Sequence, residues 1–317
     1  MQLVQLTQIT DSQKHCAFTD VVFFSGRWLC AFREADHHMS YDGVITIMQS
    51  QDARNWRFAS QLSWQGGDLR DPHFVINSLG QLVLNAGIRR AIRVDVGCNL
   101  YSVGWVYDLS SQSWSLPVMD ETSACRWRWM PFYHQQQIYS VAYTGQDKCG
   151  ALYKSQDGLH WKEWVRPFFP DPHVYSNEAS LAFKDGCLWC LLRRDKKEGC
   201  EARLGCALPP FTNWQWRTLN QALTGQKLIC TSQGDLLAVY RVIDYEQETA
   251  RVEIGRIDTE QGKVIPLLEL PSEGDCSYAG VVEKQNQLYV SYYSTPKEQT
   301  AQVFIAQIDL NEVNDRC

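Results

Sequence analysis

Apolar and polar residues alternate with period two along almost the whole chain, in short runs such as "DVVFFSGRWLCAF", "FVINSLGQLVLNAG", "QIYSVAYTG", "SLAFKDGCLWCLLR" and "QLYVSYYS". This is the period of an extended chain, whose successive side chains point to opposite faces. Many runs come in pairs joined by turns at Ser25-Gly26, Leu79-Gly80, Asp185-Gly186 and Gln233-Gly234, the signature of hairpins. No amphipathic helical stretch of about ten or more residues interrupts them. The chain is predicted to be all-β.

A weak internal repeat organises the hairpins. The segments "SQDARNW", "DLSSQSW", "SQDGLHW" and "PPFTNWQW" end at Trp56, Trp114, Trp161 and Trp216, roughly 50 residues apart. That length suits one four-stranded propeller blade, and six blades would take about 53 residues each of the 317. The expectation is a six-bladed β-propeller, with five blades and longer loops as the alternative. The opening run "MQLVQLTQIT" has no hairpin partner of its own, so it is expected to close the ring by adding a strand to the last blade. No linker-like Pro/Gly/Ser stretch divides the chain, and residues 1–317 read as a single domain.

With 44% hydrophobic and 12% aromatic residues the chain can bury a large core. Its net charge of -6, with acids and bases interspersed, offers no basic face to phosphate backbones and no polybasic segment to a membrane surface. Nucleic acid is excluded as a partner on this ground. The N-terminus lacks the pattern of a signal peptide, and no apolar stretch approaches the roughly 18 residues of a membrane span; the expectation is a soluble cytoplasmic protein. Twelve cysteines are scattered through apolar runs, and Cys187 and Cys190 have no second pair at zinc spacing. They are expected to be reduced, half-buried fillers, with Cys317 the likeliest to react. No metal or other cofactor is implied, and the sequence does not reveal the oligomeric state.

Two of the tryptophan-terminated segments, "SQDGLHW" and "SQDARNW", resemble shortened forms of the Asp-box, S-x-D-x-G-x-x-W, a turn motif of sialidase-type propellers. "SNEASLAFKDGCLWCLLRRD" resembles the sialidase segment in which a Glu starts one strand and an Arg ends the next, with Glu178 and Arg193 at the matching places. "DLLAVYR" offers Arg241 where a further site arginine would fall, and "CSYAGVVEKQNQLYVSYYS" resembles the segment with the catalytic tyrosine, here Tyr278. Glu, Arg, Arg, Tyr in that order, over essentially the whole chain, resembles the sialidase (neuraminidase) superfamily, especially bacterial sialidase-like proteins of unassigned substrate. The resemblance implies a glycoside hydrolase: a retaining exo-glycosidase that removes a terminal acidic sugar, a carbohydrate with a carboxylate.

Elementary chemistry gives the same residues a task. A phenol with a pKa near 10 becomes a nucleophile only with a base beside it, and Glu178 is the candidate base for Tyr278. A neutral nucleophile suits a sugar whose anomeric carbon carries a carboxylate, because a carboxylate nucleophile would be repelled; sialidases are exceptions to the two-carboxylate rule. Guanidinium groups bind carboxylates through paired hydrogen bonds, which makes Arg193 and Arg241 candidate substrate-binding residues. A surface charge, a structural ion pair or a tyrosine packed at a strand edge is the competing reading. Arg194 is expected to point to the other side of the strand and to pair with Asp195 or a loop carboxylate.

The chain departs from the sialidase pattern at one place. Where sialidases usually carry an Arg-Ile-Pro triplet, this sequence has Phe18-Thr19-Asp20. Arg33 in "AFREADHH" is the nearest replacement for the missing arginine, followed by Arg70 in "GDLRDPHF". The general acid is sought in "READHHMSYDG", where Asp36, His37, His38 and Asp42 are candidates, since a group titrating near neutrality can both give and take a proton, and His38 is favoured by its position relative to "SQDARNW". Asp42, ahead of Gly43, reads as a turn former. Asp71 is the alternative acid or a sugar-hydroxyl ligand, weighed against an Asp-Arg pair that pins two blades. Arg128 and Trp129 in "CRWRWMPF" could form a charged edge and an aromatic platform, against a core role for Trp127 and Trp129. Two other functions compete with the glycosidase: a non-catalytic glycan-binding propeller, and a polysaccharide lyase acting on uronic acid units.

Overall fold

The alternating runs form small antiparallel sheets, six in number among the described residues. The computed structural model describes the chain apart from residues 92–98, 121, 123–124, 145–148, 170, 172–174, 196–199, 298 and 312–317. Six strands, His15–Phe24, Asp68–Ile76, Trp127–His134, Tyr175–Lys184, Thr224–Cys230 and Ser277–Lys284, are the innermost of blades 1 to 6. Each packs against the innermost strands of the two neighbouring blades, so the ring is closed. The fold is the six-bladed β-propeller that the repeat length predicts, and five blades are set aside.

Closure is made by the N-terminal run. Gln2–Gln8 pairs antiparallel with Gln302–Asp309, from Gln2 opposite Asp309 to Gln8 opposite Phe304, and becomes the outermost strand of blade 6. Blade 6 therefore needs both ends of the chain, which joins them without a covalent bond. The hairpin turns follow the sequence signal: Ser25 and Gly26 have φ of 49° and 80°, and Asp185 and Gly186 have 51° and 79°. Two successive positive φ values make the turn that matches strand twist.

The stacking of the blades explains why so many strands are apolar on both faces. One buried apolar cluster lies in each seam between successive blades. Leu82, Leu84 and Ile88 of blade 2 meet Leu29, Ala31 and Ile47 of blade 1, for example. Truncating any such leucine to alanine would cost about 2–5 kcal/mol. At the seam of blades 6 and 1 the backbones approach closely: a Cβ on Gly280 would collide with Asp20 and the Val21 nitrogen.

The tryptophan-terminated segments turn the chain between the third and fourth strands. Asp52 Oδ1 accepts hydrogen bonds from the backbone nitrogens of Arg54 and Asn55 at 2.9 and 2.8 Å, and the Trp56 indole donates to the Ala53 carbonyl at 3.0 Å. Asp157 repeats this at Leu159 and His160, both at 2.9 Å. Because strands alternate in direction, these turns lie on the face opposite the starts of the innermost strands.

The cysteine expectation is corrected in part. Nine described cysteines are free, whereas Cys125 is disulfide-bonded. Cys317 and part of the loop "GIRRAIRVDVGCN" lie outside the described residues. Among the described residues no helix is long and apolar enough to cross a membrane.

Candidate active site

Every innermost strand has a break in register near its start: between Ala17 and Thr19, Arg70 and His73, Trp129 and Phe132, Ser176 and Ala179, Thr224 and Lys227, and Ser277 and Gly280. A bulge of this kind bends the strand and re-aims a side chain. Phe18, Asp71, Met130, Gly225 and Tyr278 take up the extra length with φ of 57°, 49°, 35°, 55° and 51°. Only glycine adopts that region without steric cost, so the other four hold a strained backbone. Six bulges at one end of six strands place Phe18, Asp71, Glu178 and Tyr278 around the axis on one face.

Blades 4 and 6 supply the closest group. The Tyr278 hydroxyl donates to Glu178 Oε1 at 2.7 Å, Arg193 Nη1 donates to the same oxygen at 2.8 Å, and Arg193 Nη1 lies 3.2 Å from the phenol oxygen. The other carboxylate oxygen of Glu178 accepts the Gly225 N–H at 3.1 Å. Glu178 is 3% exposed, while Tyr278 is half-buried. Burial and then the Glu178 charge push the phenol above its ordinary pKa, against Arg193 and Arg241. The phenol thus keeps its proton at rest and is aimed at a base. Burial alone would lower the pKa of Arg193, but Glu178, Tyr278 and Asp195 outweigh it and raise it.

A residue without an assigned role in the sequence reading links the rest. Asp275 Oδ1 accepts from Arg241 Nη1 at 2.7 Å, and Asp275 Oδ2 lies 2.8 Å from His38 Nδ1. Arg241 is further held by Thr224 Oγ1 at 2.9 Å and the Cys276 carbonyl at 3.2 Å, and its guanidinium lies 5.5 Å from the Tyr278 ring centre. Burial would raise the Asp275 pKa; the bond to His38 and the charge of Arg241 more than offset this and lower it. The only sequence cue to Asp275 is its place three residues ahead of Tyr278.

Blade 1 shows what fills the place of the absent triplet. Phe18 stands edge-on to Tyr278 with ring centres 5.0 Å apart and edge-on to His38 at 5.3 Å. Thr19 Oγ1 donates to the Tyr278 carbonyl at 2.9 Å, and Asp20 turns inward to accept the Phe74 N–H at 2.8 Å. An aromatic wall and a backbone tether replace a cation.

Blade 2 contributes Arg70 and Asp71. The Arg70 guanidinium lies 4.6 Å over the Phe18 ring, Arg70 is 6% exposed, and its Nε has no hydrogen-bond partner among the described residues. Asp71 is buried; desolvation, with Glu178 and Asp68 adding and Arg70 opposing, pushes its carboxyl up to about 7.

Arg33 is not where the sequence reading needs it. It is 0% exposed, with Nε on Asp68 Oδ1 at 2.7 Å, Nη1 on the His37 carbonyl at 3.1 Å and Nη2 on the Ser40 carbonyl at 3.1 Å. All three nitrogens are consumed, so the expectation that Arg33 receives a substrate carboxylate is corrected: it shapes the loop that carries His38. Gly43 is required there, because a Cβ would collide with Asp68 and Arg33. Asp68, buried at 0% exposure, also faces Arg89 Nη2 at 3.3 Å and Arg70 Nη1 at 3.9 Å.

Two smaller expectations change and one holds. Asp195 pairs with Arg193 at 2.9 Å, whereas Arg194 lies against the Phe169 ring. Arg128 is buried beside Asp120 and between the Tyr153 and Trp161 rings, and Trp127 and Trp129 are core, so none forms an exposed sugar platform. Asp36 reaches Lys14 at 3.8 Å, and Asp42 Oδ2 accepts the Asp36 N–H at 3.0 Å in the expected turn role.

No family model matches the sequence, and neither does any curated protein. Solved structures do match in fold. A Dyadobacter fermentans protein of unknown function aligns with a TM-score of 0.82 at 17% identity, covering 97% of this chain and 98% of that one. A Penicillium chrysogenum α-L-arabinanase complexed with arabinobiose aligns at 0.71 and 12% identity, covering 98% and 99%. Trypanosoma rangeli sialidase with the inhibitor DANA aligns at 0.66 and 12% identity, covering 96% of this chain and 58% of that one. At these identities the likeness shows the propeller fold alone.

Proposed function

We propose that this chain is a retaining exo-glycosidase that removes a terminal sugar bearing a carboxylate. The observation that carries the reading is the Tyr278–Glu178–Arg193 triangle, a phenol 2.7 Å from a carboxylate that a guanidinium holds at 2.8 Å. The sialidase and arabinanase activities of the structural neighbours support glycoside cleavage as the reaction class.

In the proposed first step the Tyr278 oxygen bonds to the anomeric carbon while its proton passes to Glu178. The bond to the leaving oxygen breaks, and His38, held by Asp275, gives that oxygen a proton. In the second step His38 takes a proton from water, whose oxygen attacks the anomeric carbon; the tyrosyl oxygen leaves and regains its proton from Glu178. Two displacements retain configuration. Arg193 and Arg241 face the same phenol, and Arg70 supplies a further guanidinium for the substrate acid.

One observation favours a second reading, a two-carboxylate glycosidase acting on a neutral sugar. Asp71 is pushed up to about 7, as suits a general acid, while Glu178 is fixed in place by Arg193 and a backbone N–H, as a carboxylate nucleophile would need to be. Arg193 and Arg241 also already carry carboxylate partners. The test is hydrolysis of fluorogenic ulosonic, uronic and arabinofuranosyl glycosides by wild type and Tyr278→Phe, with mass spectrometry of the enzyme labelled by a fluorinated sugar of the class that turns over. A label on Tyr278 supports the first reading, and a label on Glu178 overturns it for the second. Silence across the panel from folded protein counts against both.

A further inference from the structure

The sequence offers adjacent histidines, His37 and His38, but an extended chain sends neighbours to opposite sides, and the structure brings together a different set. One donor atom from each of His15, His38 and Asp275 lies within 4.8 Å of the other two. His15 begins the innermost strand of blade 1, His38 sits in the turn between its second and third strands, and Asp275 precedes the innermost strand of blade 6. The seam that closes the ring fixes their separation.

We propose that His15, His38 and Asp275 bind a divalent transition-metal ion of the zinc class. Two imidazoles and one carboxylate are a ligand set that suits zinc, and three protein ligands leave a position for water or another oxygen. Ligand atoms on one tetrahedral zinc lie about 3.4 Å apart. The His38 Nδ1 to Asp275 Oδ2 edge is a 2.8 Å hydrogen bond that would open to about 3.4 Å as an ion takes the place of its proton, and the His15 donor atom lies within 4.8 Å of both. All three side chains are half-buried, which leaves them room to rotate and an ion a way in.

The surroundings are those of a ligand set with outer support. Asp275 is oriented through its other oxygen by Arg241 at 2.7 Å and through its carbonyl by Thr295 Oγ1 at 2.7 Å, the kind of outer contact that fixes a metal-binding carboxylate. The His15 Nδ1 atom is buried with no hydrogen-bond partner among the described residues. Arg33, Arg70 and Arg241 are the cations facing the group, and they oppose the charge of a bound ion.

The inference stands on the cluster geometry, and its readout is separate from that of the glycosidase reading. Metal-free full-length protein is titrated with Zn²⁺ by calorimetry and with Co²⁺ by its visible absorption, for wild type, His15→Ala, Asp275→Asn and His37→Ala, each checked for a native melting transition. The expected result is one ion per chain in wild type and His37→Ala, with affinity falling in His15→Ala by more than the roughly 10- to 100-fold that losing an outer partner costs. Asp275→Asn serves as the second variant should His15→Ala fail to fold. Absence of binding, or binding unchanged by both His15→Ala and Asp275→Asn, overturns the site. Binding that vanishes only when thiols are alkylated also overturns it, by placing the ion on cysteine. If a glycosidase activity is found, Zn²⁺ is expected to inhibit it by occupying His38; if none is found, the titration still decides the metal site.

Discussion

Arginine meets carboxylate on both sides of the propeller axis, and the two sides are built to different ends. On the side of blades 4 to 6, Arg193 and Arg241 pair with Glu178 and Asp275, yet their side chains stay 17% and 11% exposed and face the half-buried Tyr278. On the side of blades 1 and 2, Arg33 pairs with Asp68 at 0% exposure for both, and Arg89 joins from the neighbouring strand. The first cluster has one face left for a substrate; in the second the Arg33–Asp68 pair has none, and only Arg89 and Arg70 at its rim keep 10% and 7% of their side chains exposed. Whether an arginine serves chemistry or architecture is thus decided by how many of its donors the fold has already taken, and residue type alone does not reveal it.

The largest expected effect tests the open side. Tyr278→Phe should lower kcat/KM by roughly 10⁴-fold or more, the scale of removing a nucleophile or its orienting partner. Stability should fall by only about 1 kcal/mol, because Glu178 keeps Arg193 and the Gly225 N–H. Steady-state kinetics beside urea melts separate the two, and retained turnover would remove Tyr278 from the chemistry. Asp68→Ala is the converse on the closed side: three guanidiniums lose their shared carboxylate, and unfolding free energy should drop by about 3–5 kcal/mol. A drop under about 1 kcal/mol would show that solvent reaches the cluster.

How much of this was legible in the sequence follows the same divide. The blade count, the hairpin turns and the ring-closing strand are local signals of period and turn chemistry, and a two-residue turn such as Ser25-Gly26 carries its own instruction. Glu178, Arg193, Arg241 and Tyr278 could be placed in order because they sit at strand starts and ends that repeat by blade. Asp275 and Asp68 were not assigned, since their partners are 34 to 237 and 2 to 35 positions away and are chosen by the ring rather than by spacing. Arg33 was misread for that reason: a lone arginine at a strand end looks the same whether it faces a cavity or a buried aspartate. The bulges were invisible because Phe18, Asp71 and Tyr278 adopt positive φ without glycine to announce it.

Asp71 gives a pH test of the boundary between the two sides, since it feels the charge of Glu178 from the other side and of Arg70, Asp68 and Arg33 within its own cluster. A carboxyl raised to about 7 in the folded chain binds a proton there that the unfolded chain releases at its ordinary pKa near 3.8. The stabilisation is fully present below that unfolded value and is lost as pH rises through 7, up to about 4 kcal/mol at about 1.4 kcal/mol per pH unit. Asp71→Asn should flatten this slope and leave the variant more stable than wild type at pH 8. Parallel urea melts from pH 4 to 8 read it; an unchanged slope would mean that Asp71 is ionised in the folded protein.

The smallest expected effect is the sharpest on the comparison itself, because it makes the same substitution on each side. Arg241→Lys keeps the charge and loses the fork that spans Thr224, Asp275 and the Cys276 carbonyl. One ammonium cannot reach all three, so the group drifts relative to Tyr278, and kcat/KM should fall by about 10- to 100-fold, or about 1.4–2.8 kcal/mol of transition-state binding. Stability should change by less than about 1 kcal/mol, since the site is open to water. Arg33→Lys should do the reverse: the carbonyls of His37 and Ser40 lose donors inside the protein, unfolding free energy falls by about 1–3 kcal/mol, and KM changes little while the loop still closes. If Arg33→Lys instead raised KM as strongly as Arg241→Lys with no loss of stability, Arg33 would have to reach the substrate, and the division of the arginines by burial would fail.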